Sequence, residues 1–163
     1  MNLGRIIKGS GVENVRGDRN REITAVCSDS RKVSPGALFI AVKGFGTDGH
    51  AFIAKAVEAG AAAVAYDDAL KGIDTKDAVL VKTGSSRHAL AIMAANFYDN
   101  PSHKLTLVGI TGTNGKTTTV TLLYNLFMGL GYNCGLLSTI ANYVGRRRSE
   151  TANTTADPIT INS

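Results

Sequence analysis

The sequence has 163 residues, 44% of them hydrophobic and 19% charged, with 18 Lys+Arg against 13 Asp+Glu. A chain this apolar is not globally disordered, and its apolar runs fall short of the roughly 18–20 residues that span a bilayer as a helix. The formal charge of +5 suits anionic ligands but is too small and dispersed to argue for nucleic acid.

Met1–Gly11 carries Arg5 and Lys8 with no apolar stretch behind them, so no signal peptide is expected. Cys27 and Cys134 have no metal-type spacing and are expected as reduced thiols of a cytoplasmic protein, Cys27 serving packing only. Leu3, Ile6 and Ile7 share one helical face and predict a short opening helix. Ile23–Cys27 predicts a strand, followed by the polar turn Ser28-Asp29-Ser30-Arg31. Ala37–Val42 predicts a second, buried strand. Phe52, Ile53, Ala56 and Val57 recur at helical spacing over His50–Ala59, and Gly60 stops that helix. Ala62–Tyr66 and Ala78–Val81 predict further strands, and Ser85 opens a helix through Tyr98. Strands alternating with helices argue an α/β fold.

Asn100-Pro101-Ser102 breaks the pattern and marks a domain boundary. Beyond it, Leu105–Ile110 predicts a strand and Thr117–Leu130 a helix with Val120, Leu123, Phe127 and Leu130 facing inward. Cys134–Ile140 predicts another strand, Gly145 with Arg146–Arg148 a solvated hairpin tip, and Thr151–Ser163 an extended polar segment. His50, His88 and His103 lack ligand spacing and are expected at the surface or as caps.

The strongest chemical signal is Thr111-Gly112-Thr113-Asn114-Gly115-Lys116-Thr117-Thr118, placed between an apolar run and an amphipathic helix. Glycines let the backbone curl so that several N–H groups point at one anion, and the helix N-terminus adds its dipole. Lys116 is expected to supply a point charge to the β- and γ-phosphates of ATP, and the Thr117 hydroxyl is the expected Mg2+ ligand. The general pattern has its first glycine where this chain has Ile110. A second glycine-rich run, Gly44-Phe45-Gly46-Thr47-Asp48-Gly49, fits G-x-G-x-x-G, with Asp67 and Asp68 after the next strand. A dinucleotide site is one reading of it. Asp48 beside a pyrophosphate argues for another ligand.

The run Ser28–Arg31, Pro35–Ala41, Lys43-Gly44, Asp48-Gly49-His50 and Ala59–Val64 resembles the amino-terminal domain of the Mur ligases. Gly112–Thr118, with the first glycine absent, resembles that family's ATP-binding motif. Asn153-Thr154-Thr155-Ala156-Asp157-Pro158 is similar to a segment of the MurE branch, which adds the third amino acid of the peptidoglycan stem peptide; many relatives have Pro where Ala156 stands. The resemblance implies a Mur-ligase substrate-binding domain over 1–102, then the start of a P-loop ATPase domain over 103–163. It implies an ATP-dependent amide ligase acting in the cytoplasm on UDP-N-acetylmuramoyl-L-alanyl-D-glutamate, with meso-diaminopimelate or L-lysine as acceptor. In that family ATP phosphorylates the substrate carboxylate and an amine attacks the acyl phosphate.

Carried over by resemblance, Ser28 and Ser30 touch the uridine end of the substrate, and Phe45, Gly46 and Thr47 line the same nucleotide site. Asn153, Thr154 and Thr155 contact the muramoyl-peptide part, and Gly112–Thr118 hold ATP with Lys116 as the catalytic residue. The acceptor's site lies in the family's third domain. No nucleic acid and no membrane span are expected. A MurF-type ligase, which adds the terminal dipeptide, and a nucleotide-binding module without catalysis remain as alternatives. An ATPase sheet needs on the order of 100 residues to close its core, so the chain is expected to be an inactive fragment of the ligase.

Overall fold

The computed structural model describes residues 1–44, 46–70, 72–150 and 157–163. Two compact units emerge, Met1–Lys104 with Pro158–Ser163, and Leu105–Asp157.

The first unit is built on a five-stranded sheet. In chain order its elements are α1 (Leu3–Ile6), β1 (Val12–Arg16), β2 (Val26–Cys27), β3 (Leu38–Ile40), α2 (Ile53–Glu58), β4 (Ala63–Tyr66), β5 (Val79–Thr83) and α3 (Ser86–Phe97). The sheet order is β1-β5-β4-β3-β2. Strands β2 to β5 pair in parallel, with Val26 opposite Leu38, Phe39 opposite Val64 and Val64 opposite Leu80; β1 runs antiparallel at the β5 edge.

Parallel strands are stable only with both faces covered, and the alternation along each strand supplies two cores. Leu38, Ile40, Ala63, Ala65, Val79 and Val81 pack with Leu3 and Ile6 of α1 and with Ala89, Leu90 and Met93 of α3. Their neighbours Phe39, Ala41, Val64 and Leu80 point the other way, onto Ile53, Ala56 and Val57 of α2. The result is a three-layer α/β/α unit. Ser85 caps α3, its Oγ accepting from the His88 N–H, and Tyr98 closes that helix.

The short helix α5 (Pro158–Asn162) packs on α3, and Ile159 joins the α1/α3 core. Proline at the first helical position is pre-set for such a turn, so the extended reading of the terminal segment is corrected over 158–162. The part of it from 151 to 156 lies outside the described residues. Two more sequence expectations change here. The strand expected over 23–27 is only Val26–Cys27, because Ile23 instead donates its N–H to the Met1 carbonyl. The edge strand β1 has no signal in the sequence, since its residues Val12 to Arg16 are mostly exposed and mixed in character.

The second unit holds α4 (Lys116–Gly129) and an antiparallel sheet of β6 (Gly135–Leu137), β7 (Ala141–Val144) and β8 (Arg147–Glu150). The hairpin turn expected at Gly145 is present, with Gly145 at φ 54°. The Tyr124 hydroxyl donates to the Gly145 carbonyl, and its ring lies 5.4 Å from that of Tyr143. Residues 105–110 are not a strand: Leu105 and Val108 are 64% and 62% exposed, and no described strand pairs with them. A strand is defined by its ladder, and apolar content alone does not supply one. The inward face expected for α4 is likewise corrected, since no residue of that helix is buried.

Phe39 is fully buried, so Phe39→Ala leaves a cavity against α2. It is expected to lower the stability of the first unit by about 3–5 kcal/mol, read as the shift of its urea transition by circular dichroism. A loss below about 1 kcal/mol would contradict the packing described.

Candidate functional site

Because β2 to β5 run in parallel, the segments that follow them emerge at one edge of the sheet. These are Ser28–Ser30 after β2, Ala41–Asp48 after β3, Asp67–Asp68 after β4 and Gly84–Ser86 after β5. Ligands of open α/β sheets bind outside the carboxyl ends of the strands. Within the Ser28–Arg31 turn, Asp29 accepts the Arg31 N–H at 3.0 Å and pairs with its guanidinium at 2.8 Å. That turn leaves Ser28 half-buried and brings Ser30 inward at the start of a 3-10 turn, Ser30–Lys32. The Arg31 hydrogen bonds, side-chain first and backbone second, hold the Asp29 carboxyl down at about 2.

The loop after β3 closes on itself. Lys43 and Asp48 form an isolated antiparallel bridge, the Gly44 N–H donates to the Thr47 carbonyl at 2.9 Å, and the Gly49 N–H donates to the Val42 carbonyl at 3.0 Å. Gly49 sits so close to Val42 that an added Cβ would lie 2.7 Å from that residue's backbone N and O. Gly46 and Thr47 are exposed at the tip; Phe45 lies outside the described residues.

Sequence reasoning placed His50 at the surface or as a cap, and the structure corrects this. His50 is 9% exposed, in the 3-10 turn Gly49–Phe52 that leads into α2. Its Nδ1 lies 2.6 Å from Asp48 Oδ1 and its Nε2 3.1 Å from Asp67 Oδ1. The N–H groups of Asp67 and Asp68 both approach Nε2 at 3.3 Å. Asp67 Oδ2 accepts the first N–H of α3, that of Ser86, at 2.8 Å, while its carbonyl accepts from Lys82 Nζ at 2.8 Å. With its carboxylate committed in this way, Asp67 is not presented as a ribose acceptor. The bonds from His50, backbone first, keep the Asp48 carboxyl below its usual range. The local signal was Asp48 two residues before His50; Asp67 is 17 residues on, and sequence spacing alone does not reveal that contact.

In the second unit, Gly112 and Gly115 take positive φ, 150° and 78°, and Gly115 stands immediately before α4. Nothing lies within 4 Å of a Cβ built at Gly115. Residues 112–116 and Thr118 are exposed and Thr117 is half-buried. Lys116 Nζ donates to the carbonyls of Gly112 at 2.6 Å and Thr113 at 3.3 Å. An open, glycine-shaped loop at the N-terminus of a 14-residue helix, with an ammonium over it, is a donor set that fits a polyphosphate. Asn153, Thr154 and Thr155 lie outside the described residues. Among the described residues no cluster of His, Cys, Asp or Glu could hold a metal ion, and no helix is long and apolar enough to cross a membrane. The Thr117 hydroxyl remains the candidate Mg2+ ligand, one that needs phosphate oxygens to complete its shell.

Both cysteines are free. Burial, with the Asp29 carboxylate as a lesser cause, pushes the Cys27 thiol up to about 11. Its contribution to stability is therefore complete below the ordinary value of 9.0 and declines as pH rises through 11. Iodoacetamide at pH 8 is expected to label the half-exposed Cys134 and spare Cys27 until urea unfolds the first unit, as read by intact-mass spectrometry. Equal labelling in the folded chain would contradict the burial. For Asp29, Arg31→Ala is expected to return the carboxyl midpoint from about 2 toward the ordinary 3.8, measured by carboxyl NMR titration.

The profile described as "Mur ligase family, catalytic domain" matches residues 22–98, and the "Mur ligase middle domain" profile matches 110–163. The chain is 46% identical, over 99% of its length, to the UDP-N-acetylmuramoyl-L-alanyl-D-glutamate–2,6-diaminopimelate ligase of Cytophaga hutchinsonii, and 45% identical over 99% to that of Bacteroides fragilis. It spans about a third of the length of each, 33%. Among solved structures it is similar to the MurF ligase of Thermotoga maritima in complex with ADP, with TM-score 0.56 and 29% identity over 87% of this chain and 29% of that one. Two profiles of one family match successive stretches, the strand-end loops and the phosphate loop fall within them, and the chain belongs to the Mur ligase family.

Proposed function

We propose that the chain provides the nucleotide-substrate and phosphate-loop portions of an ATP-dependent amide ligase of the MurE type. That enzyme adds diaminopimelate to UDP-N-acetylmuramoyl-L-alanyl-D-glutamate in peptidoglycan synthesis. The observation that carries the reading is the identity of 45–46% across nearly the whole chain to ligases of that name. Its MurF neighbour stands lower, at 29%.

On this reading the work divides between two stretches, 1–102 and 103–163. In the first, Ser28, Ser30, Gly46 and Thr47, with Phe45, present hydroxyls and backbone to the uridine diphosphate without adding negative charge. In the second, Gly112–Thr118 cradle the ATP phosphates. Lys116 would neutralise charge on the γ-phosphoryl group, and the Thr117 hydroxyl would hold Mg2+. ATP with Mg2+ supplies the phosphoryl group that activates the substrate carboxylate. Positioning and electrostatic stabilisation are what the chain's own residues contribute. Asn153, Thr154 and Thr155 are assigned to the muramoyl-peptide end by resemblance. A reducing, cytoplasmic setting suits the two free thiols.

Calorimetric titration of the 163-residue chain is expected to show binding of UDP-N-acetylmuramoyl-L-alanyl-D-glutamate and none of NAD. Lys116→Ala should weaken ADP binding at least about tenfold and leave the UDP-substrate affinity within about twofold. Loss of UDP binding in that variant would mean the two nucleotide sites are misassigned. Grafted in place of the matching third of the Cytophaga hutchinsonii ligase, the chain should support ligation of diaminopimelate, with Lys116→Ala lowering turnover by roughly 100-fold or more. Ligation of a dipeptide instead would favour the MurF type.

A further inference from the structure

We propose that His50 is the positioning residue of the substrate loop, its ring joining the loop after β3, through Asp48, to the carboxyl end of β4 and the start of α3, through Asp67. The inference rests on the reading of that loop as part of the uridine-nucleotide site.

Three observations carry it. The ring stands between two carboxylates on different segments, with Nδ1 2.6 Å from Asp48 Oδ1 and Nε2 3.1 Å from Asp67 Oδ1. Asp48 Oδ1 also accepts the His50 N–H at 3.0 Å, so one oxygen caps the 3-10 turn and anchors the ring. Asp67 then passes the constraint on, its Oδ2 accepting the Ser86 N–H at 2.8 Å. With Nδ1 protonated and donating to Asp48 Oδ1, Nε2 has a partner whether it is bare or protonated. With Nε2 bare it accepts the N–H groups of Asp67 and Asp68, both at 3.3 Å; with Nε2 protonated it donates to Asp67 Oδ1.

A second tie comes from α3, where Arg87 Nη2 donates to the Lys43 carbonyl at 3.2 Å. The loop is thus held from both flanks while Gly46 and Thr47 stay exposed at its tip. A loop that must offer its backbone to a ligand needs that kind of support, because freedom lost on binding weakens affinity.

The side-chain amides of Asn and Gln separate the two halves of the clamp. In His50→Asn the amide nitrogen takes the place of Nδ1 and can donate to Asp48. In His50→Gln the amide oxygen takes the place of Nε2 and can accept from Asp67 and Asp68. Amide hydrogen exchange of the full chain, followed by NMR, is the readout. His50→Ala is expected to speed exchange at Gly44, Gly49, Asp67 and Asp68 about tenfold relative to Ile40 and Val64 in the core strands. His50→Asn should restore protection at Gly44 and Gly49 only, and His50→Gln at Asp67 and Asp68 only. The affinity for UDP-N-acetylmuramoyl-L-alanyl-D-glutamate should fall about tenfold in His50→Ala and recover at least partly in His50→Asn.

Exchange that is unchanged, or that rises equally at Ile40 and Val64, would overturn the clamp and leave His50 a buried polar residue of the fold. Unchanged affinity in His50→Ala despite faster loop exchange would overturn its role in positioning substrate. If the unsubstituted chain binds no uridine nucleotide, the reading of the loop as a substrate site fails, and the exchange pattern alone decides the clamp.

Discussion

Parallel pairing of β2 to β5 is the constraint from which the first unit follows. Parallel strands cannot be joined by tight turns, so each return must cross a face of the sheet, and both faces must be covered. Alternation along β3 shows how a short segment satisfies both demands, with Leu38 and Ile40 serving one core and Phe39 the other. The same constraint aligns the carboxyl ends of the strands at one edge. Rigid strands carry the packing, and the irregular segments beyond them are left to carry chemistry.

The two glycine-rich loops solve different problems. In the second unit, the stretch before α4 is shaped almost entirely by local chemistry, namely two positive-φ glycines, a helix start and a lysine. In the first unit, the loop after β3 depends on partners distant in sequence. Its closure rests on the approach of Gly49 to Val42, on a carboxylate from the end of β4 and on a guanidinium from α3. A substitution inside the first kind of loop acts where it is made. In the second kind, a change at Asp67 or Arg87 is felt at the loop tip.

That distinction also explains what was legible in the sequence. The glycine-lysine-threonine run declared itself because its geometry is local, and α3 was bounded correctly by the Ser85 cap and by Tyr98. The β3 and β4 strands stood out as apolar runs because both of their faces are buried. By contrast β1 is an edge strand whose Val12 and Val15 are only half-buried among polar neighbours, so it had no apolar run to betray it. Residues 105–110 had the composition of a strand and lack a ladder among the described residues, which no apolar count could foresee. The burial of His50 is not legible in the sequence because a polar ring is buried only with partners, and one of these, Asp67, is brought close by the pairing of β3 with β4.

Lys116 supplies a last consequence. Its ammonium is already engaged, donating to the carbonyls of Gly112 and Thr113. Arrival of an anion at that loop is therefore an exchange of acceptors, in which phosphate oxygens displace carbonyl oxygens that hold the lysine beforehand. The net gain is the difference between two sets of bonds, smaller than a bare ammonium would provide. A weakly held single phosphate competes poorly under such terms, whereas a polyphosphate that also engages the glycine backbone and the helix terminus can prevail. For any anion that enters the loop, the lysine's resting partners would thus set a threshold that its own oxygens must exceed.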